Sequence, residues 1–215
     1  MKRYARVVAA AFALWCFITG AAFCQHRFAV GLQAGINNAD ADVDPLADGV
    51  HASIRGGLLL GAHVEYRWNE SLALSISPRF IEKGARFHYR DALVETALLN
   101  YIETAFAFRY TPVPRRLAPY LFAGMSIAAL VSARYVTEFQ RGESVQYVEE
   151  FTRTLDISLD AGAGFEYRIS TAVSLGCGVG YSHGLVNVVL PATGNHYATW
   201  YSRDLKVASS LLVWL

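Results

Sequence analysis

The sequence predicts an all-β fold, an eight-stranded antiparallel up-and-down transmembrane β-barrel with short periplasmic turns and long outer loops. Three observations carry that expectation. Apolar and polar residues alternate with period two over eight segments, the spacing at which a strand sends the two sets to opposite faces. The connections between segments are alternately short and long. Finally, 53% of the residues are apolar, yet beyond Phe23 no run reaches the roughly 18 apolar residues that a spanning helix needs.

The first residues set the compartment. Lys2, Arg3 and Arg6 precede an apolar run from Val7 to Phe23, and the small residues Ala22 and Cys24 stand at its end. This is the layout of a secretory signal peptide over residues 1–24, with the barrel domain following over residues 25–215. An uncleaved anchor and a lipoprotein acylated at Cys24 are the alternatives. The run is short for a span, and bulky Phe23 sits badly before a lipidated cysteine. Removing residues 1–24 takes three of the 19 basic side chains and none of the 18 acidic ones. The small negative balance that remains points away from nucleic acid. Cys177 is then the one cysteine, so burial and strand pairing must hold the fold without an internal disulfide.

The segments follow in order. Residues 28–36 put Phe28, Val30, Leu32, Ala34 and Ile36 in one phase. Residues 57–68 set Leu58, Leu60, Ala62, Val64, Tyr66 and Trp68 against a phase holding His63, Glu65 and Arg67. In residues 72–80, Leu72, Leu74, Ile76 and Phe80 oppose Ser75, Ser77 and Arg79, and Pro78, which has no ladder donor, is the expected place of a bulge. Residues 100–110 oppose Ile102, Phe106, Phe108 and Tyr110 to Glu103, Ala105 and Arg109. Residues 120–131 read either way, because Leu121, Met125, Ile127 and Val131 alternate with Tyr120, Phe122, Gly124 and Ser126. Residues 155–167 place Leu155, Ile157, Leu159, Phe165 and Tyr167 against Asp156, Ser158, Asp160, Glu166 and, just beyond, Arg168. The seventh segment alternates Val173, Leu175, Cys177, Val179 and Tyr181 with Gly176, Gly178, Gly180 and Ser182. The last sets Leu205, Val207, Leu211, Val213 and Leu215 against Asp204, Lys206 and Ser210.

Alternation alone fits a soluble sandwich, apolar side inward, as well as a membrane barrel, apolar side outward. Short turns at residues 69–71, 111–119 and 169–172, with long polar loops elsewhere, are the pattern of a membrane barrel. Its apolar phase also turns aromatic at the short-turn rim, with Tyr66, Trp68, Phe108, Tyr110, Phe165 and Tyr167, and Phe80 and Tyr181 supply part of the opposite girdle. The polar phase combines glycine with long charged arms. Gly57, Gly61, Gly162, Gly164, Gly176 and Gly178 leave space for Tyr101, Tyr120 and Phe122. Eight strands enclose an interior just wide enough for side chains, so the expected lumen is plugged. Glu65, Arg67, Arg79, Glu103, Arg109, Asp156, Asp160, Glu166, Arg168 and Lys206 form its charge network, read either as an internal set of salt bridges or as a selectivity ring.

The segments SISPRFIEKG (75–84), YIETAFAFRY (101–110), PYLFAGMSIAALVSA (119–133), DAGAGFEY (160–167) and YSHGLVNV (181–188) resemble, in order and spacing, the PorT-like outer-membrane β-barrel family of Bacteroidetes-type, Gram-negative bacteria. Two departures are Ala105, where the family usually carries proline, and a terminal Leu215 where many outer-membrane barrels end in Phe. The resemblance implies a cell outer membrane location. The family's namesake is associated with type IX secretion, and most relatives carry no assigned role.

Candidate chemistry is sparse. The six histidines show no His-x-x-x-His spacing, and the glycines open no helix that would cradle phosphate. Ser182 and His183 are the place where a lipid-modifying hydrolase would show itself, without an identifiable third partner. Asp40, Asp42, Asp44 and Asp48 make the first loop acidic, able to hold a divalent cation or lipopolysaccharide-bridging ions, or simply solvated. A third loop over residues 134–153 carries Tyr135, Phe139, Tyr147 and Phe151, and its length suggests that the fifth and sixth strands project beyond the membrane as a hairpin. The expectation is a protein with no catalytic residues, metal or cofactor, acting as a scaffold, interaction or secretion-accessory protein. Its partners are outer-membrane lipid and lipopolysaccharide, with secretion-machinery or cell-surface proteins at the loops. A lipid-modifying enzyme and a small passive pore are the alternatives.

Overall fold

Period-two alternation becomes strand throughout. The computed structural model describes residues 27–44, 49–89, 94–139, 142–190 and 199–215. Its strands are β1 (Phe28–Asp44), β2 (His51–Ser53), β3 (Arg55–Arg67), β4 (Leu72–Lys83), β5 (Arg86–His88), β6 (Val94–Tyr110), β7 (Leu117–Phe139), β8 (Gly142–Tyr147), β9 (Leu155–Arg168), β10 (Val173–Gly184) and β11 (Thr199–Trp214). Eight of them close a ring in the order β1, β3, β4, β6, β7, β9, β10, β11, all pairs antiparallel. The ring shuts where β11 returns to β1, from Ala29 opposite Trp214 to Asp44 opposite Thr199. Closure spares the ring a strand edge, whose row of unpaired backbone groups hydrocarbon would not tolerate. Among the described residues no helix is long and apolar enough to cross a membrane; the crossing is made by strands.

Exposure fixes which face is which. Leu32 is 69% exposed and Phe108 61%, whereas Glu65, Glu103 and Glu166 are at 0%. A water-soluble sandwich would show the reverse, so the apolar face is the lipid face and the charges are inside. The interface aromatics pack along the short-turn rim: Trp68 stacks on Phe108 at 6.0 Å and meets Tyr66 edge-on at 6.1 Å.

The ambiguous fifth segment resolves with Tyr120, Phe122 and Gly124 inward and Leu121, Met125 and Ile127 exposed. Glycine on the neighbouring strands makes the room. A Cβ on Gly164 would lie 2.5 Å from the Tyr120 ring, and one on Gly162 would lie 2.6 Å from Phe122. The segment reads either way because both of its phases carry large apolar side chains; just beyond it β7 contains a bulge, where Asn100 faces Ser132, Tyr101 faces Leu130, and Val131 is skipped. The inward phase therefore shifts from Ser126 and Ala128 to Ala133.

Several boundaries differ from expectation. β1 continues past Ile36 to Asp44 because Asn37, Ala39 and Ala41 keep the buried phase and pair with β11. Asp40, Asp42 and Asp44 are thus strand residues; Asp48 lies outside the described residues. Pro78 marks no bulge, since pairing to β3 lapses beside it and resumes in the same register, Gly61 with Arg79 and Val64 with Ile76. The projecting hairpin is β7 with β8, not the fifth segment with the sixth, because β9 begins only at Leu155. Beside it, Gly84 adopts φ +129° with its Cα hydrogen aimed at the Ala97 carbonyl, where a Cβ would sit 2.0 Å away. That turn leads from β4 into β5, which stays on β6 and adds β2 above the barrel wall.

Candidate functional site

The inward phase converges on the barrel axis, and its charges sort into two layers. At the short-turn end, Arg67 Nη2 donates to Glu166 Oε2 at 2.6 Å and Arg67 Nε to Glu65 Oε1 at 3.0 Å. Arg109 Nη1 donates to Glu65 Oε2 at 2.7 Å, and its second amino group binds Glu166. Each guanidinium also covers a ring, Arg67 over Trp214 at 3.8 Å and Arg109 over Tyr120 at 4.0 Å. Arg168 belongs only loosely, 3.8 Å from Glu166 and 39% exposed at the rim.

Toward the long-loop end, three cations gather on Glu103. Arg79 Nε donates at 2.8 Å, with Lys206 Nζ at 3.0 Å and Lys83 Nζ at 3.1 Å. Lys83 also donates to Asp156 at 2.9 Å and lies 3.3 Å from Asp204, while Lys206 reaches Asp160 at 3.3 Å. Asn37 Nδ2 bonds Asp204 at 3.1 Å. Burying this many charges carries a desolvation cost of several kcal/mol per ion, so the layers hold only because nearly every charge has an opposite one in contact.

The ten network residues named from sequence thus lie in or beside these layers. Lys83 and Asp204 complete the second layer but were absent from that set. Lys83 continues the inward phase of Arg79 and Ile81 beyond the predicted strand end at Phe80, and Asp204 shares the phase of Lys206. Following both alternations outward would have found them.

Between the layers lies a cavity of about 120 Å³, lined by Gln33, His63, Ser75, Ser77, Tyr120 and Phe122 among others. His63 Nδ1 bonds Ser77 Oγ at 2.8 Å, and its Nε2 is 3.6 Å from Glu65. Above the second layer the lumen is filled by an apolar plug that includes Leu59, Ile81, Leu99, Tyr101, Val148 and Trp200. Below the first layer, Trp214 closes the floor, its Nε1 donating to Ser174 Oγ at 2.9 Å.

The remaining candidates fall apart or move. Ser182 and His183 point to opposite faces: Ser182 is buried and donates to Ser158 Oγ at 3.0 Å, while His183 is exposed and stacked near Tyr181. Neighbouring residues of one strand cannot form a dyad. Among the described residues no three His, Cys, Asp or Glu side chains are arranged to hold a metal, and Asp42 instead pairs with Arg203 across β1 and β11. On the outer hairpin Tyr147 is 68% exposed, with Val145 and Phe151 also exposed. Tyr135 is turned inward there, and burial with Glu95 nearby pushes its phenol up to about 12.

A closed eight-stranded ring with an apolar outer face and an ionic lumen defines an outer-membrane β-barrel protein. Residues 19–189 match the family described as Outer membrane protein beta-barrel domain, and the chain belongs to that family. It resembles the solved structure of OprG from Pseudomonas aeruginosa (12% identity, TM-score 0.51, covering 87% of this chain and 94% of that one). Neisserial surface protein A (18%, TM-score 0.47, 87% and 97%) and Ail of Yersinia pestis (10%, TM-score 0.41, 86% and 97%) are also similar. At these identities the likeness concerns fold alone. No curated protein matches the sequence.

Proposed function

We propose that this protein is a non-enzymatic, non-conducting scaffold of the outer membrane, docking a cell-surface or secretion-machinery protein through its outer hairpin. One observation carries the reading: the axis is crossed by two ion-pair layers and an apolar plug, while Val145, Tyr147 and Phe151 project into water above the membrane. Exposed aromatics beyond the bilayer are the residues that anchor protein interfaces. In this reading the buried charges hold the strands in register, and the lipid and lipopolysaccharide of the membrane are the solvent of the outer face. The resemblance of its segments to the PorT-like family supports a secretion-accessory role for the same surface. Planar-bilayer recording of the purified protein tests the closed lumen. The expected record is flat, and a steady, reproducible unitary current would remove the non-conducting part of the proposal.

A further inference from the structure

The short-turn mouth of the barrel is strongly basic. A bowl of about 930 Å³ opens there, lined by Arg27, Arg67, Arg115, Arg116 and Arg168, with Trp214 at its floor. Glu70 is its one lining carboxylate. Four separate pieces of chain contribute these arginines: the residue before β1, the end of β3, the turn between β6 and β7, and the end of β9. The carboxylates just beneath, Glu65 and Glu166, are already engaged by Arg67 and Arg109. No ion pair among the described residues includes Arg27, Arg115 or Arg116. The chain cannot supply the missing counter-charge from its N-terminal side, since residues 1–26 contain no Asp or Glu. The aspartates of β1 and, among the described residues, Glu149 and Glu150 of the long connection between β8 and β9 lie at the other end of the barrel.

We propose that this bowl is a docking site for an acidic segment of a periplasmic polypeptide. Short turns mark the periplasmic end of such a barrel. Arg67 and Trp214 face the lumen side, so the bowl opens to the periplasmic water along the barrel axis, while Trp68 and Arg116, whose guanidinium lies 5.2 Å over the Tyr167 ring, border its outer side. Converging guanidinium groups recognise carboxylates through paired, parallel hydrogen bonds. A bowl of this volume is of ligand-pocket size and takes side chains from a short extended stretch, and its field draws such a stretch toward the mouth. The site is separate from the outer hairpin and stands whether or not that hairpin docks a partner.

The test uses a fluorescein-labelled hexaglutamate peptide, titrated by anisotropy against the full-length protein in zwitterionic detergent. Saturable binding that weakens as salt rises is expected. The variant R27Q/R115Q/R116Q should bind at least about tenfold more weakly, the loss of several exposed charge contacts, while R203Q at the outer rim should bind as the parent does. Folding of each variant is read independently from its heat-dependent mobility on SDS gels. Absence of saturable binding, retention of full affinity in the triple variant, or displacement of the peptide by an equal concentration of inorganic phosphate would each overturn the assignment to an acidic polypeptide.

Discussion

Replacing Glu103 with Gln removes the one carboxylate on which three buried cations converge. Lys206 would keep Asp160, and Lys83 would keep Asp156 and Asp204. Arg79 would keep none, because Glu103 is its one ion-pair partner among the described residues. The layer contains three cations, Arg79, Lys83 and Lys206, and four carboxylates, Glu103, Asp156, Asp160 and Asp204, so a count of charges alone would make the substitution harmless. Contact geometry predicts otherwise. An uncompensated buried charge costs about 3–5 kcal/mol, and E103Q should lose stability on that scale. D204N removes the same formal charge yet leaves every cation a carboxylate, so its loss should stay near 1 kcal/mol, that of one weakened hydrogen-bond set. Urea unfolding of the protein in lipid vesicles, followed by tryptophan fluorescence, compares the two. Equal losses, or an E103Q variant within about 1 kcal/mol of the parent, would refute the claim that specific pairing rather than net charge holds this layer.

Other outcomes follow from the same geometry. G178A places a Cβ 2.7 Å from Tyr120 Oη and should cost about 1–3 kcal/mol by overpacking. Y120F should relieve most of that loss in the double variant, measured by the unfolding midpoint. S182A and H183A should leave the lipid A profile of the native host unchanged, as mass spectrometry would show, because the two side chains point to opposite faces. The unboiled protein should migrate differently from the boiled one on SDS gels, the signature of a closed ring, and a single unshifted band would count against closure.

Much of this architecture was legible because a barrel wall is a one-dimensional pattern. Each rung puts one residue out and one in, so Leu58, Leu60, Glu65 and Arg67 declare their faces without reference to the rest of the chain. Turn lengths then separated membrane barrel from sandwich. Legibility ended where the pattern breaks or outlasts its apolar half. The Val131 bulge moved β7 into the other phase, an event with no local sequence marker. β1 and β4 were cut short at Ile36 and Phe80 because above the lipid the outer face turns polar and the alternation loses contrast, while Asn37, Lys83 and Ala41 continue inward. Pro78 misled in the opposite sense: its missing donor interrupts one ladder without shifting register. The partition of charges into two layers was invisible because it depends on strand stagger around the ring, which brings Lys83 of β4 to Asp156 of β9. The basic mouth was missed for the same reason, its arginines being scattered over four chain segments.

The central claim is that the protein is inside out, with apolar side chains in lipid and charges within. Cys177 tests it directly, because it is an exposed thiol on the outward face of β10. With Cys16 and Cys24 replaced by Ser, a nitroxide attached at Cys177 in reconstituted vesicles reports its own surroundings through collisional relaxation. The account predicts strong relaxation by molecular oxygen, which concentrates in the bilayer, and little by a water-soluble nickel chelate. Stronger relaxation by nickel, or shielding from both reagents as in a water-soluble core, would contradict it.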